Sequence, residues 1–476
     1  MSSGALPPTL RAQATSAACA FAIALLYFGS LHAAEPRLAD YDGYFHIRFA
    51  SLGPLAWTSR EFPWMPLGIF AADRWVDHQL LFHALQWPFT WFLPLLDAAH
   101  ASAAVFAAAA VAAFAWALSR ARVPAPWIWA IVLLCGSRFF IDRMMMPRTQ
   151  SVSLAFLFAG IALATPTDRG PVRWKPLAAL GFAFAWTYHL SVALVPVLLI
   201  FAGFQRHLRP ALAAAAGIGA GFVLHPQSPQ TLRFFYTHGI QKVANASGQA
   251  VGAEWMPVDT TTWLVHTAPI LLLFGLVAMK STTPGPDTRA MALLAGGWAV
   301  ASAFAVKWLE YAVPFGVFTV ALGFRDRRWS ATPLLALAPL LWFNGAQALS
   351  HIRGTLPPSG RLAGIAAHLP PSDCHVFHAD WTDFSELFYH APQCTLTVGL
   401  DPHFLSEAEP KRAALLEAAL AGNVGRLGAM AKNAFGADWV VVTRAPMARM
   451  AAEDSRLELV YEDDAGSLWR VLPSAE

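Results

Sequence analysis

A succession of long apolar stretches fills the first 350 residues, and no other feature restricts the fold of this chain so strongly. They lie near residues 15–34, 98–119, 124–139, 149–165, 175–189, 190–204, 210–225, 263–279, 289–306, 311–324 and 331–349, with a break between the fifth and sixth at Tyr188-His189. Crossing about 30 Å of hydrocarbon takes roughly 17–25 apolar residues in a helix. Helices also satisfy their own backbone where lipid offers no partner. The pattern predicts an α-helical polytopic membrane protein of about 11 spans. Charge agrees, because 13% charged residues, against about 25% in an average soluble domain, are too few to coat a water-soluble body of this size. A net charge of +3 without any Lys/Arg cluster offers no footprint for nucleic acid. The first stretch ends in "LHAAEP", which resembles a cleavage site, but it lacks a basic leader and reads as a retained helix.

Basic residues orient the spans. Arg120 and Arg122, Arg169 to Lys175, Arg206 and Arg209, Lys280 and Arg289, and Arg325 to Arg328 share one side with Arg11, which marks that side as cytoplasmic. An odd span count then carries the chain beyond about residue 350 to the outer face, as expected of a bacterial inner-membrane protein. Arg48, Arg138, Arg143, Arg148 and Lys307 stand on the outer face against this rule, which marks them for function.

The chain divides into a transmembrane domain, 1–350, with external loops at 35–97 and 225–262, and an extracytoplasmic α/β domain, 351–476. "GTLPPSGR" reads as the hinge between them. In the second domain "CHVFHA", "TLTVGL", "WVVVT", "LELVYE" and "SLWRVL" read as strands, and "DFSELFYHA", "EAEPKRAALLEAALAG" and "APMARMAAE" as helices. Of four cysteines, Cys19 and Cys135 fall in apolar spans. Cys374 and Cys394 flank strands of the outer domain, either as a disulfide formed in an oxidising compartment or as two isolated buried thiols. In the first external loop, "DHQLLFHALQWPFTWFLPLLD" is apolar but studded with polar groups and proline, as suits a helix lying in the interface.

Four places carry chemistry. "ADYDGYFHIRFA" sets Asp40, Asp42, His46 and Arg48 at the membrane surface, where an interfacial anchor is the plainer reading. "RWVDHQLLFH" supplies Asp77 and His78, a carboxylate and an imidazole fit for a divalent metal or simply a solvated pair, with His83 beyond them. "GAEWMPVDTTTWL" holds Glu254 ahead of a threonine run that caps the next helix. In "VKWLEYAVPF", Lys307 and Glu310 are three apart and able to pair.

Their order along the chain resembles the GT-C membrane glycosyltransferases, most closely the catalytic subunit of oligosaccharyltransferase. That family has Asp-Pro-(Trp/Tyr)-Phe-Asn-Tyr-Arg after its first helix; here stands Asp42-Gly43-Tyr44-Phe45-His46-Ile47-Arg48. Its Trp-Tyr-Pro-Leu-Gly is matched by Trp64-Met65-Pro66-Leu67-Gly68. Its late loop, Ser-Val-Ser-Glu-His-Gln-Pro with Thr-Thr-Trp soon after, is matched by Glu254-Trp255-Met256-Pro257 and Thr261-Thr262-Trp263. Two family motifs are missing. The middle acidic run is replaced by "MMMPRTQSVSL", which offers Arg148, and the Trp-Trp-Asp-Tyr-Gly motif has only "HADWTDFSELF" in a comparable place.

The resemblance implies transfer of a sugar or oligosaccharide from a polyprenyl-phosphate or diphosphate donor to a protein or glycan acceptor on the outer face. It implies a divalent metal, Mn or Mg, on Asp42 with Asp77 or His78, stabilising the phosphate that leaves. Arg48 or Lys307 would assist by charge pairing, and Glu254 would orient or deprotonate the acceptor. The alternatives are a transporter or flippase, for which His189 is the clearest in-span ionisable residue, and a non-catalytic subunit of the same fold.

Overall fold

A computed structural model of the chain describes residues 10–71, 73–166, 174–241, 253–257, 259–267, 285–325 and 338–473. Helices occupy the apolar stretches almost one for one: Leu10–Ala34, Leu95–Arg120, Pro126–Leu134, Thr149–Ala164, Trp174–Thr187, Leu194–Gln205, Arg209–Val223, Pro286–Phe304, Leu309–Gly323 and Ala338–Thr355. Most of the stretch near 263–279 and the start of that near 331–349 lie outside the described residues. Leu10–Ala34 and Leu95–Arg120 are each long and apolar enough to cross a bilayer, while Thr149–Ala164, His189–Gln205 and Arg209–Val223 are apolar but shorter. The stretch near 124–139 falls short because its helix stops at Leu134 and a separate helix starts at Arg138. The break at Tyr188-His189 is a 3₁₀ turn, His189–Ala193, between two helices.

Alanine and phenylalanine build the helical core. Phe114, Phe158, Phe315 and Phe318 are fully buried among alanines of Leu95–Arg120, with Phe158 stacked on Phe318 at 5.7 Å. Small residues let backbones approach closely: a Cβ at Gly217 would sit 2.0 Å from the Ala178 carbonyl oxygen of Trp174–Thr187.

The outer layer is aromatic. Helices Asp42–Ser51 and Leu80–Gln86 and the 3₁₀ turn Trp87–Trp91 fold the loop of residues 35–97 over the bundle. Above it stands a five-stranded sheet of β1 (Cys374–Phe377), β2 (Cys394–Leu396), β3 (Trp439–Val442), β4 (Leu457–Asp463) and β5 (Gly466–Val471), in the order β2-β1-β3-β5-β4. β1 lies parallel to β2 and β3, and β5 is antiparallel to β3 and β4. Four of the five strands stand where the sequence pattern predicts them, whereas β2 starts at Cys394 and ends at Leu396, well short of the predicted end of "TLTVGL". Helix Leu427–Phe435 is not among the predicted elements.

Loop and sheet domain share one core. Phe45, Phe49, Phe62 and Trp75 pack with Phe384, Phe388 and Leu396. Backbone bonds stitch the two together: the Leu396 N–H donates to the Trp64 carbonyl at 2.7 Å and Ile69 N–H to that of Phe404 at 3.1 Å. The Trp64 indole donates to the Pro392 carbonyl at 2.6 Å. The Trp64-to-Gly68 segment is therefore a clasp between loop and sheet. Cys374 and Cys394 form a disulfide, their Cα atoms 4.5 Å apart at paired positions of β1 and β2.

Candidate active site

A cavity of about 480 Å³ lies between the bundle, the outer loops and the sheet domain. Asp42, Asp77, His78, Glu254 and Lys307 all line it, beneath a rim of Trp381, Leu400 and Phe404 from the sheet domain. Arg48 stands elsewhere: its guanidinium donates to the Tyr389 carbonyl at 2.7 Å and lies 5.1 Å from that ring. It holds the sheet domain rather than facing the cavity.

One wall is an interlocked set of charges. Asp42 opens helix Asp42–Ser51, and Arg148 immediately precedes helix Thr149–Ala164. These two ends meet because residue 43 is glycine: any Cβ there would lie 2.4 Å from Pro147 Cγ. Arg148 then spreads its three nitrogens over three carboxylates, Nη2 to Asp42 at 2.9 Å, Nε to Asp40 at 3.3 Å and Nη1 to Glu254 at 3.5 Å. Arg143, on helix Arg138–Met145, bridges Glu310 at 2.7 Å and Glu254 at 2.6 Å. Lys307 sits in the 3₁₀ turn Val306–Trp308, and the Val306 N–H donates to the Met256 carbonyl at 3.1 Å, pinning the Glu254 loop beside it. Glu310 pairs with Arg143 and not, as its spacing allowed, with Lys307, whose ammonium lies 3.1 Å from the centre of the Trp255 ring. The threonine run is capped by Asp259, which accepts from Thr262 N–H at 2.9 Å.

These contacts set protonation. Burial pushes the Asp42 carboxyl up to about 7 against the pull of Arg148, with Asp40 and Glu254 adding to the rise. Burial also disfavours charge on Glu254, but Arg143, Arg148 and Lys307 outweigh it and hold that carboxyl well below its usual range. Lys307 is pushed down to about 7 by burial, opposed by Glu254 and Glu310.

A second part of the lining is built of imidazoles, and its His46 lies one helical turn on from Asp42 in helix Asp42–Ser51. His46 Nδ1 lies 3.0 Å from His83 Nε2, and His83 Nδ1 lies 2.8 Å from Asp77 Oδ2, all three residues buried. Asp77 is fixed in turn: its Oδ1 accepts from Gln79 N–H at 3.0 Å and its N–H donates to Gln227 Oε1 at 2.8 Å. His78 is stacked on Phe234 at 4.4 Å and pushed down to about 4, chiefly by burial.

The expected metal ligands do not assemble. Asp42 is engaged by Arg148, Asp77 by His83, and His78 turns to Gln79 and Phe234. Among the described residues no three His, Cys, Asp or Glu side chains are grouped to hold an ion. The His46–His83 contact escapes sequence reasoning, and Arg143, marked only as an exception to the charge rule, has no place among the predicted site residues. The signal for Arg143 was present, since three of the five basic residues that break the charge rule on the outer face, Arg143, Arg148 and Lys307, line this cavity.

No family model matches the chain, and no curated protein matches it. Solved structures do. ArnT from Cupriavidus metallidurans, bound to undecaprenyl phosphate, superposes with a TM-score of 0.63 at 14% identity, over 94% of this chain and 96% of that one. The oligosaccharyltransferase of Archaeoglobus fulgidus, tethered to an acceptor peptide, gives a TM-score of 0.56 at 12% identity, over 96% of this chain and 75% of that one. At such identities the likeness is one of fold, and this chain has the fold that these two structures share.

Proposed function

We propose that this protein is a membrane glycosyltransferase that moves a sugar or oligosaccharide from a polyprenyl-phosphate or diphosphate donor to an acceptor outside the cytoplasm. The observation that carries the reading is the convergence of Arg143, Arg148 and Lys307 on one cavity, in a fold shared with a structure that holds undecaprenyl phosphate. Breaking a sugar–phosphate bond leaves negative charge on phosphate oxygen, and fixed cations in an enclosed site stabilise that charge without reorganising. Lys307 is the cation suited to take the phosphate, since it has no carboxylate partner among the described residues. Buried near its own neutral point, it gains full charge when an anion arrives beside it. Arg148 and Arg143 set the field around it. Asp40, Asp42 and Glu254 hold those guanidiniums in place, which gives Glu254 the part of a counter-ion to Arg143 and Arg148 rather than that of orienting or deprotonating the acceptor.

The apolar bundle beside the cavity suits a polyprenyl tail. A disulfide in the sheet domain is at home in an oxidising compartment, which supports an extracytoplasmic domain from about residue 351 and a bacterial inner-membrane location. The test is turnover of an undecaprenyl-phosphate-linked hexose by the purified chain in nanodiscs. Release of undecaprenyl phosphate by the wild type, lowered about 10²–10³-fold in Asp42→Asn, is the expected result. Release undiminished in Asp42→Asn overturns the assignment.

A further inference from the structure

The imidazole wall contains a hydrogen-bond chain whose polarity is fixed from one end. An ionised Asp77 only accepts hydrogen bonds, so the hydrogen between it and His83 resides on His83 Nδ1. With its single ring hydrogen on Nδ1, His83 presents a lone pair at Nε2, and His46, 3.0 Å away, donates to it from Nδ1. His46 is left with its own lone pair on Nε2. His46 lines the cavity, and its Nε2 is not among the enclosed polar atoms that lack a partner. Gln227 locks the far end: its amide nitrogen donates to the carbonyls of Trp57, at 2.8 Å, and Ser59, which turns its oxygen to the Asp77 N–H. Four segments distant in sequence are thus spent on setting the tautomer of one ring.

We propose that His46 is the general base that takes the proton of the acceptor, with His83 and Asp77 as positioning residues behind it; this rests on the glycosyl-transfer reading above. The acceptor oxygen forms a bond to the anomeric carbon as the carbon–oxygen bond to phosphate breaks, its electron pair leaving on phosphate toward Lys307 and Arg148. The acceptor proton moves to His46 Nε2. The His46 Nδ1 proton can shift to His83 Nε2, which brings the positive charge next to the Asp77 carboxylate. No other reactant is needed. The carboxylates Asp40, Asp42 and Glu254 are committed to arginines, whereas this nitrogen is uncommitted. Burial, together with nearby His83 and Arg148, keeps resting His46 neutral, as a base must be.

Two measurements on the full chain in nanodiscs test this. With ¹⁵N-labelled histidine rings, and with His46→Gln and His83→Gln to assign the signals, both rings should carry hydrogen on Nδ1 and none on Nε2. Asp77→Asn should disturb both tautomers together. The opposite tautomer at His46 overturns the relay. The second measurement uses an undecaprenyl-phosphate-linked hexose with methanol or with azide as the nucleophile. Methanol must lose a proton and azide has none to lose, so His46→Gln should lower methanol transfer by about 10²–10⁴-fold and leave formation of the glycosyl azide near wild type. Asp77→Asn should lower kcat for methanol without moving KM for the donor. Equal loss with both nucleophiles assigns His46 a structural role and overturns the proposal. A wild type that turns over neither nucleophile overturns the glycosyl-transfer reading and the role of His46 with it, while the tautomers still stand or fall on the spectrum.

Discussion

The two walls of the cavity treat charge in opposite ways. On one, Arg143 and Arg148 interlock with four carboxylates, Asp40, Asp42, Glu254 and Glu310, at distances down to 2.6 Å, and Lys307 stands over the Trp255 ring beside them. On the other, histidines gather about a single carboxylate, Asp77, in a chain of hydrogen bonds that contains no arginine or lysine. Fixed ions suit an event in which charge appears, and a neutral chain suits an event in which a proton moves. On the proposed reading the contrast separates the leaving-group side of the reaction from the acceptor side, and substitutions on each wall should therefore differ in kind.

Arg148 should give the largest effect. Arg148→Gln leaves Asp40, Asp42 and Glu254 without a shared counter-ion, and breaking a buried pair on one side typically costs about 3–5 kcal/mol. Transfer should fall by more than about 10³-fold, since both the field and the positions of its partners are lost. Arg148→Lys keeps the charge but reaches fewer of the three carboxylates, and should recover part of the loss. Near-normal turnover in either variant would mean that the charged wall is only structural. Asp42→Asn should follow, at about 10²–10³-fold.

Lys307 sharpens the contrast through pH. Its ammonium is pushed down to about 7, so free enzyme loses this charge as pH rises through that value, and donor affinity should fall on the alkaline side. Asp42, pushed up to about 7, gains a proton as pH falls and releases Arg148, so turnover should fall on the acid side as well. The expected profile is a bell centred near neutrality. Lys307→Arg, always charged, should remove the alkaline limb of donor binding and spare the acid limb of turnover. An alkaline limb that survives in that variant belongs to another group.

Much of this architecture was legible in the sequence, for physical reasons that differ from part to part. Helices and strands followed from apolar length and alternation, because burial imposes those periods directly. Asp42 and Glu254 were legible through short motifs at recognisable places. What the motifs do not carry is partnership. Arg48 keeps its place in the first motif, yet here its partner is the Tyr389 carbonyl, more than three hundred residues away, and only the fold reveals that. The His46–His83 contact joins two helices whose mutual distance no local pattern encodes. Gly43 and Arg148 show the reverse: each departs from the family pattern, and together they make one feature, since the missing Cβ admits Pro147 and brings Arg148 to Asp42.

Glu254→Gln should act more mildly, because Arg143 retains Glu310 and Arg148 retains two carboxylates. A roughly tenfold loss in kcat is expected, on the scale of one charged hydrogen bond at about 1.5–3 kcal/mol, with little change in KM for the donor. If this variant instead loses methanol transfer while azide transfer survives, Glu254 and not His46 is the base, and the assignment of the two walls is reversed.

Chelation should have the smallest effect of all. A divalent ion is held by carboxylates that have charge to spare and room to gather. In this wall Asp40 and Asp42 converge on Arg148, and Glu254 is shared by Arg148 and Arg143, so the negative charge that would attract an ion is already matched by guanidinium at short range. Binding an ion there would require expelling Arg148 from three partners at once. Asp77 is held with equal firmness by His83, Gln79 and Gln227. Turnover of the lipid-linked hexose after exhaustive dialysis against chelator should therefore stay within about twofold of the untreated enzyme, a change of less than about 0.5 kcal/mol in the barrier. Added Mn²⁺ or Mg²⁺ should restore nothing further. Loss of activity on chelation, recovered by either ion, would show that Arg148 yields its place during turnover and that the charged wall works as a metal site after all.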